Sequence, residues 1–292
     1  MSKAMNRVVA LAAAAAFAAP GFARADQNID QTRPLHPDAS VSVINCAGSI
    51  AVETWDKNLL SLTGRLGEGV EKLLVEGDAD KLRIEVKLPR FAHNVEDTQL
   101  RLRVPAGVNL DLDSVSADVS VHGTRGSVKT RTVSGDVNLL VDSPSVVAQT
   151  ISGNLHLEAP SRDTQVKSVS GDLSLKGVRG DLLAETVSGD VHVDGGEFSR
   201  LRLKSVSGAF NVEAALADAA RAELDTLSGD IELGLPAATN ASATLNTSSG
   251  DLSSDFAGSI KEDARKTTLT LGTGKAQVSL HSFSGDVQLR KK

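Results

Sequence analysis

The chain reads as an all-β protein, a stacked-repeat β-solenoid of β-helix-like form with an irregular antiparallel β cap at its N-terminal end. Three observations lead there. A Ser-Gly corner followed by an acidic or amide residue and an aliphatic one recurs at Val133-Ser134-Gly135-Asp136-Val137, Ile151-Ser152-Gly153-Asn154-Leu155, Val169-Ser170-Gly171-Asp172-Leu173, Val187-Ser188-Gly189-Asp190-Val191, Leu227-Ser228-Gly229-Asp230-Ile231 and Phe283-Ser284-Gly285-Asp286-Val287. The serines at 116, 134, 152, 170 and 188 stand 18 residues apart, and the later intervals through 207, 228, 249 and 284 are 19, 21, 21 and 35. A fixed short period marks one structural unit stacked on the next. Finally, the positions flanking each corner keep their chemistry from copy to copy, which stacking rewards and an antiparallel meander or propeller, the competing reading of Gly-Asp between apolar runs, does not require.

The elements follow in chain order. Residues 1–25 read as a signal peptide: basic Lys3 and Arg7, an apolar run from Val8 to Ala19, a Pro20-Gly21 break and a small-x-small cleavage site at Ala23-Arg24-Ala25, leaving Asp26 first. The run is too short and too rich in Ala for a bilayer span, which needs about 20 apolar residues, and no later segment qualifies. Residues 26–39, with Pro34 and Pro37, form an extended lead-in. Residues 40–107 carry alternating apolar and polar runs of unequal length between turns, the sign of half-buried strands. Since the end of a stacked array must be covered, this region is the expected N-terminal β cap, with the lone Trp55 as a core filler.

Residues 108–292 are the solenoid repeats, about nine coils and roughly 40 Å at the strand spacing, with an insertion at 254–276 that contains a further strand at 267–271 and the Gly272-Thr273-Gly274 turn. Val115, Val133, Ile151, Val169, Val187, Val206, Leu227 and Phe283 precede the corner serines; Val119, Val137, Leu155, Leu173, Val191, Phe210, Ile231, Leu252 and Val287 follow three residues later. Both columns read as apolar faces of short strands joined by a corner where Gly supplies a left-handed backbone. A charge at Val169 is thus expected to abolish folding, and Lys167→Asp, on an outward face, to be nearly silent.

The arrangement resembles the bacterial putative-adhesin family of β-strand-repeat proteins, a large domain family of unknown function. The resemblance rests on Asn45-Cys46-Ala47-Gly48-Ser49-Ile50-Ala51-Val52 followed by Trp55-Asp56, on Leu102-Arg103-Val104-Pro105-Ala106-Gly107, on the serial corners, and on Leu271-Gly272-Thr273-Gly274. It implies a secreted or envelope-facing β-solenoid; the family's label reflects appearance rather than a measured activity. The chain departs from the pattern at Ala117 and Ala209.

Several chemistries fit the residues less well than a structural role does. Asp118, Asp136, Asn154, Asp172, Asp190, Asp230, Asp251 and Asp286 share one corner position, about 5 Å apart if coils stack. Such a ladder suits either Ca²⁺, a hard ion that takes oxygen ligands, or a run of turn-forming aspartates bonded to nearby backbone N–H groups. The second is preferred, because the nonapeptide pattern of calcium-loaded β-rolls is missing. Ser114, Thr132, Thr150, Ser168, Thr186, Ser205, Thr226, Thr247 and Ser282 form a hydroxyl column expected to bond from one to the next. The corner serines recur in every coil, whereas a nucleophile is one activated serine beside a base. His156 and His192, two coils or about 10 Å apart, are too distant to share a metal. His36, His93, His122 and His281 form no spaced pair.

The resulting expectation is no catalytic, cofactor-binding or metal-binding residues, no cofactor, and a non-enzymatic exported protein, periplasmic or on the cell surface. It is read as an adhesin or interaction scaffold of the envelope, with an envelope component or protein as partner. Alternatives are a periplasmic accessory or sensor in envelope-stress signalling and, less favoured, a β-helical carbohydrate-active enzyme. A net charge of −6 argues against nucleic acid. Aromatic content of 3% without Tyr argues against outer-membrane aromatic girdles and sugar platforms. One cysteine, Cys46, excludes an intramolecular disulfide framework and leaves pairing between chains to be tested.

Overall fold

The computed structural model describes residues 27–90, 95–257, 259–263 and 265–292; the expected signal peptide and His93 lie outside them. All regular elements among the described residues are β-strands. From residue 109 onward, one set of strands stacks in parallel, like upon like. Val128–Ser134 pairs with Ser145–Ser152, setting Val146 beside Val128 and Ser152 beside Ser134. The ladder continues through Asp163–Lys167 and Gly180–Glu185 into the long strands Val191–Ser207 and Phe210–Ser228. After each corner a second set runs Val119, Val137, Leu155, Leu173, Val191, Phe210, Ile231, again in register. Each of these seven side chains is no more than 1% exposed. The core is therefore a set of continuous apolar files running the length of a solenoid-like stack, and each coil closes the file of its neighbour.

A glycine at the corner is required by stacking as well as by turn geometry. Gly171 has φ +128°, and a Cβ built on it would stand 2.2 Å from the carbonyl oxygen of Gly153 in the preceding coil. Backbone thus packs on backbone, one coil to the next, with no room for a side chain.

Coils do not stack in chain order throughout. Phe210–Ser228 pairs with Ala276–Ser284, which in turn pairs with Ala241–Ser249, so the coil of Ser284 lies between those of Ser228 and Ser249. The 35-residue interval between Ser249 and Ser284 is the path that makes this possible. After the Ser249 coil the chain forms the antiparallel pair Ser259–Asp263 and Lys266–Leu271, and the latter pairs antiparallel with Ala241–Ser249. Only then does it return to fill the vacant layer. The hairpin covers the last parallel edge, which would otherwise be free to pair with another chain.

The N-terminal region corrects the expected antiparallel cap. Ser40–Trp55 pairs in parallel with Asn109–His122 from Ser40 to Glu53, and on its other side with Lys81–Lys87 and Thr98–Pro105, also in parallel. Antiparallel pairing is confined to the outer strands: Lys72–Gly77 on Lys81–Lys87, Leu59–Leu66 on Thr98–Pro105, and Gln27–Pro34 outermost on Leu59–Leu66. Local alternation announces strands but not the direction of their partners, and connections long enough to cross over allow parallel pairing here. Ala47 sits beside Ser116 and Gly48 beside Ala117, so residues 40–55 form a further coil of the same stack. Trp55 is half-buried rather than a core filler; its indole N–H donates to Leu59 O at 2.8 Å and holds the turn that follows.

Candidate interaction surface

The corner decides which side chains face out. In Val128–Ser134 the inward positions are Val128, Thr130 and Thr132, so strict alternation turns Val133 to solvent, and Ser134 joins it as the chain bends. After the three-residue corner, inward positions resume at Val137 and Leu139. The same phase holds in every coil, and it overturns the expectation that the column before the corner is core. Val115, Val133, Ile151, Val169, Val187, Val206, Leu227 and Phe283 are 43–55% exposed, and they are all of the strongly exposed large apolar residues among the described ones. The expected collapse of a Val169→Asp variant falls with that assignment. The hydroxyl at the preceding position occupies the inward slot: Thr132, Thr150, Ser168 and Thr186 are buried.

Eight aliphatic or aromatic side chains thus form one continuous ridge, about 34 Å long at the interstrand spacing. Cys46, half-buried, continues it beyond Val115, because Asn45 pairs with Ser114 and Ala47 with Ser116. Beside the ridge lies a groove of about 530 Å³ that spans the coils from Asp113 to Val187. Its floor is the hydroxyl column, and its far rim is a column of outward polar side chains that includes Asp113, Arg131, Gln149, Lys167 and Glu185.

The hydroxyl column does not bond along itself. Ser114 donates to Ala117 O at 3.0 Å, Thr247 to Gly285 O at 2.9 Å and Ser282 to Gly229 O at 2.9 Å, all carbonyls at the corners. In the central coils Thr132, Thr150, Ser168, Thr186 and Ser205 have no hydrogen-bond partner among the described residues. The rim is an ion-pair ladder. Arg131 Nε lies 2.6 Å from Asp113, and its Nη2 lies 3.1 Å from Asp111. Lys167 lies 2.7 Å from Glu185, and in the next column out Arg202 lies 3.2 Å from Glu223. The hydrogen bond that Arg131 donates to Asp113 holds its guanidinium above the usual range. Asp225 is pushed up, chiefly by lost hydration and then by the charge of Glu223.

The corner aspartates act between coils. Asp136 N–H donates to Asp118 Oδ1 at 3.0 Å, Asn154 N–H to Asp136 Oδ1 at 2.9 Å, Asp172 N–H to Asn154 Oδ1 at 3.1 Å, and Asp190 N–H to Asp172 Oδ1 at 2.9 Å. The ladder goes on through Ala209 N–H to Asp190, Asp286 N–H to Asp230, and Asp251 N–H to Asp286, each at 2.8 Å. Each carboxylate is thus tied to the backbone of the next coil, and Asn154 serves as well as aspartate because only an acceptor oxygen is needed. Among the described residues no group of three or more His, Cys, Asp or Glu is placed to hold a metal. His156 and His192 flank Ser174 in one outward column, and His156 Nδ1 lies 3.3 Å from Ser174 Oγ. His36 pairs with Asp80 at 2.6 Å in the N-terminal region. A second groove, about 760 Å³, lies against that region beside Lys81, Arg83 and Lys129. What the corner geometry assembles is a contact surface: an apolar strip with a hydroxyl-floored groove and a charged rim.

Among solved structures the chain is similar to a putative cell adhesion protein from Clostridium sporogenes, at 9% identity over 91% of this chain and 100% of that one, with a TM-score of 0.22. A putative adhesin from Bacteroides fragilis matches at 10% identity, 91% and 97% coverage and a TM-score of 0.37. A putative lipid binding protein from Parabacteroides distasonis matches at 12% identity, 91% and 96% coverage and a TM-score of 0.33. Likeness of this degree does not bear on function. No curated protein matches the chain. The family model for Toastrack DUF4097 matches residues 94–290, which take in every corner from Ser116 to Ser284 and most of the chain, and the protein belongs to that family.

Proposed function

We propose that this chain is an exported, non-enzymatic β-solenoid of the cell envelope that works as an adhesin or interaction scaffold and docks its partner along the ridge. One observation carries the reading: the strongly exposed large apolar residues of the described chain are gathered in a single unbroken column. Scattered apolar residues are normal on any surface, but a contiguous apolar strip with a polar rim is the mark of a binding face. Neighbouring side chains in a ladder do shelter one another, at about 0.2–1 kcal/mol per pair. That gain needs no exposed column, since buried files supply it throughout this stack. Export rests on the signal-like segment before residue 26.

The test is photo-cross-linking in cells, with a photoreactive residue at position 169 on the ridge or at position 138 on the outward face beyond the corner. Adducts concentrated at 169 support the reading. Equal yields at both positions, or none at 169, would remove it.

A further inference from the structure

We infer that the partner on this face is a second copy of the same chain, packed antiparallel so that ridge lies on ridge and rim on rim, with the twofold axis between the coils of Ser170 and Ser188. The inference rests on the ridge being the docking face and adds what occupies it.

Charge along the rim points to this partner. Nearest the ridge the column reads, coil by coil, Asp113, Arg131, Gln149, Lys167, Glu185, Lys204, Asp225, His281. Apart from the neutral Gln149 and His281, sign alternates with each coil. Within one chain the alternation gives the Arg131–Asp113 and Lys167–Glu185 pairs. It also makes the face self-complementary. A twofold perpendicular to the stack and lying between two coils sets odd coils against even ones, and so sets opposite signs together. An axis through a coil does the reverse: through the Ser170 coil it sets Lys167 on Lys167 and Asp113 on Asp225, and through the Ser188 coil it sets Glu185 on Glu185. Like-charge juxtaposition is strongly disfavoured at an interface.

Of the permitted axes, the one between Ser170 and Ser188 overlaps all eight ridge coils. Val169 then faces Val187, Ile151 faces Val206, Val133 faces Leu227 and Val115 faces Phe283. On the rim Lys167 meets Glu185 and Arg131 meets Asp225. In the next outward column Lys129 meets Glu223, and no like charges oppose there. Farther from the ridge Asp163 faces Asp181, where Arg200, already bonded to Asp181, supplies the counter-charge. Three outward columns over eight coils cover roughly 38 Å by 15 Å, on the order of 600 Å² per copy. The total of about 1,200 Å² is the lower edge of stable interfaces, which suits a dimer of micromolar strength. The arrangement also places the two Cys46 thiols at opposite ends, each facing the Ser248 coil of the other copy, so no disulfide forms across it.

Sedimentation equilibrium on the purified protein tests this. The wild type should reversibly dimerise in the micromolar range. Lys167→Glu sets Glu against Glu185 twice by symmetry and should weaken the dimer at least ten-fold. The exchange Lys167→Glu with Glu185→Lys restores every pair and should return the Kd to within about three-fold of wild type, with melting curves confirming that each variant is folded. Register is read separately in a Cys46→Ser background with a short bis-maleimide cross-linker, because facing sheets lie about 10 Å apart. A mixture of Val133→Cys and Leu227→Cys proteins should cross-link, and neither should do so alone, because two copies of either residue are offset by five coils, roughly 24 Å, along the stack. A wild type that stays monomeric at about 100 µM, well above the Kd such an area implies, or a dimer indifferent to Lys167→Glu, would overturn the inference. Self-linking of either single variant would overturn the register. If 169 cross-links in cells only to another molecule, the scaffold reading stands and the dimer falls.

Discussion

Replacing Gly171 with alanine tests the stacking of coils at one atom. The backbone there has φ +128°, and the added Cβ would lie 2.2 Å from Gly153 O, which is backbone and cannot rotate away. Holding a non-glycine residue in that region costs about 1–3 kcal/mol. Relieving the clash requires the two coils to part by more than 1 Å, since ordinary contact begins near 3.4 Å. That movement loosens the Gly153 N–H bond to Ser170 O, 3.2 Å long, and the Ser170 N–H bond to Ile151 O, 2.8 Å long. At about 1 kcal/mol per lost bond, the total is on the order of 3–5 kcal/mol. Gly177→Ala is the matched control: its φ of +70° is also left-handed, but the nearest atom to an added Cβ is 3.9 Å away. It should cost only the backbone preference, about 1–2 kcal/mol. Urea denaturation followed by circular dichroism measures both. Equal losses in the two variants would refute the claim that close approach between coils, rather than backbone conformation alone, requires the corner glycine.

Three further outcomes rest on the same geometry. Val169→Asp should change stability by less than about 1 kcal/mol, while Leu173→Ala, four residues on and 1% exposed, should cost about 2–5 kcal/mol; denaturation at concentrations where the chain is monomeric compares them. Ala209 has no side-chain oxygen to offer Asp230 N–H, so Ala209→Asn should add the bond that Asn154 makes to the amide of the next coil and raise stability by about 1 kcal/mol, read as a shift of the urea midpoint. His36 is held above the usual histidine range by its hydrogen bond to Asp80; a base so raised contributes stability that is complete below its unfolded value near 6.5 and fades as pH climbs through the folded one. Asp80→Asn should therefore melt below wild type at a pH of about 5.5 and close to it at about 8.5, and a gap that widens with pH would contradict the pairing.

What is legible in the residue order and what is not divides along a physical line. Periodicity is a one-dimensional property, so the 18-residue step, the like-on-like columns and the need for glycine at the corner are all present in the order of residues. Asp136, Asn154 and Asp172 can likewise be seen to share a position, although not that each ties down the next coil's amide. The phase of the alternation is different. Val133 and Val137 are both aliphatic, and hydropathy alone assigns both to the core. Only the corner decides between them: its three residues reset the count, so that the small hydroxyl of Thr132 takes the inward slot and Val133 is left outside. The ridge, the feature on which the functional reading depends, is hidden for that reason.

Stacking order is hidden for another. A repeat reveals that coils are alike, and likeness is the very property that leaves their order undetermined, since any coil can pair with any other. The chain connection chose. The path through Ser254–Ala276 let the Ser284 coil enter between those of Ser228 and Ser249, and the parallel pairing of Ser40–Trp55 with Asn109–His122 drew Cys46 into the ridge. The sequence by itself determined the repeating unit and its interior files, because those follow from local spacing. Tertiary structure decided which face each column meets and which coils are neighbours, because both depend on contacts between residues far apart in the chain.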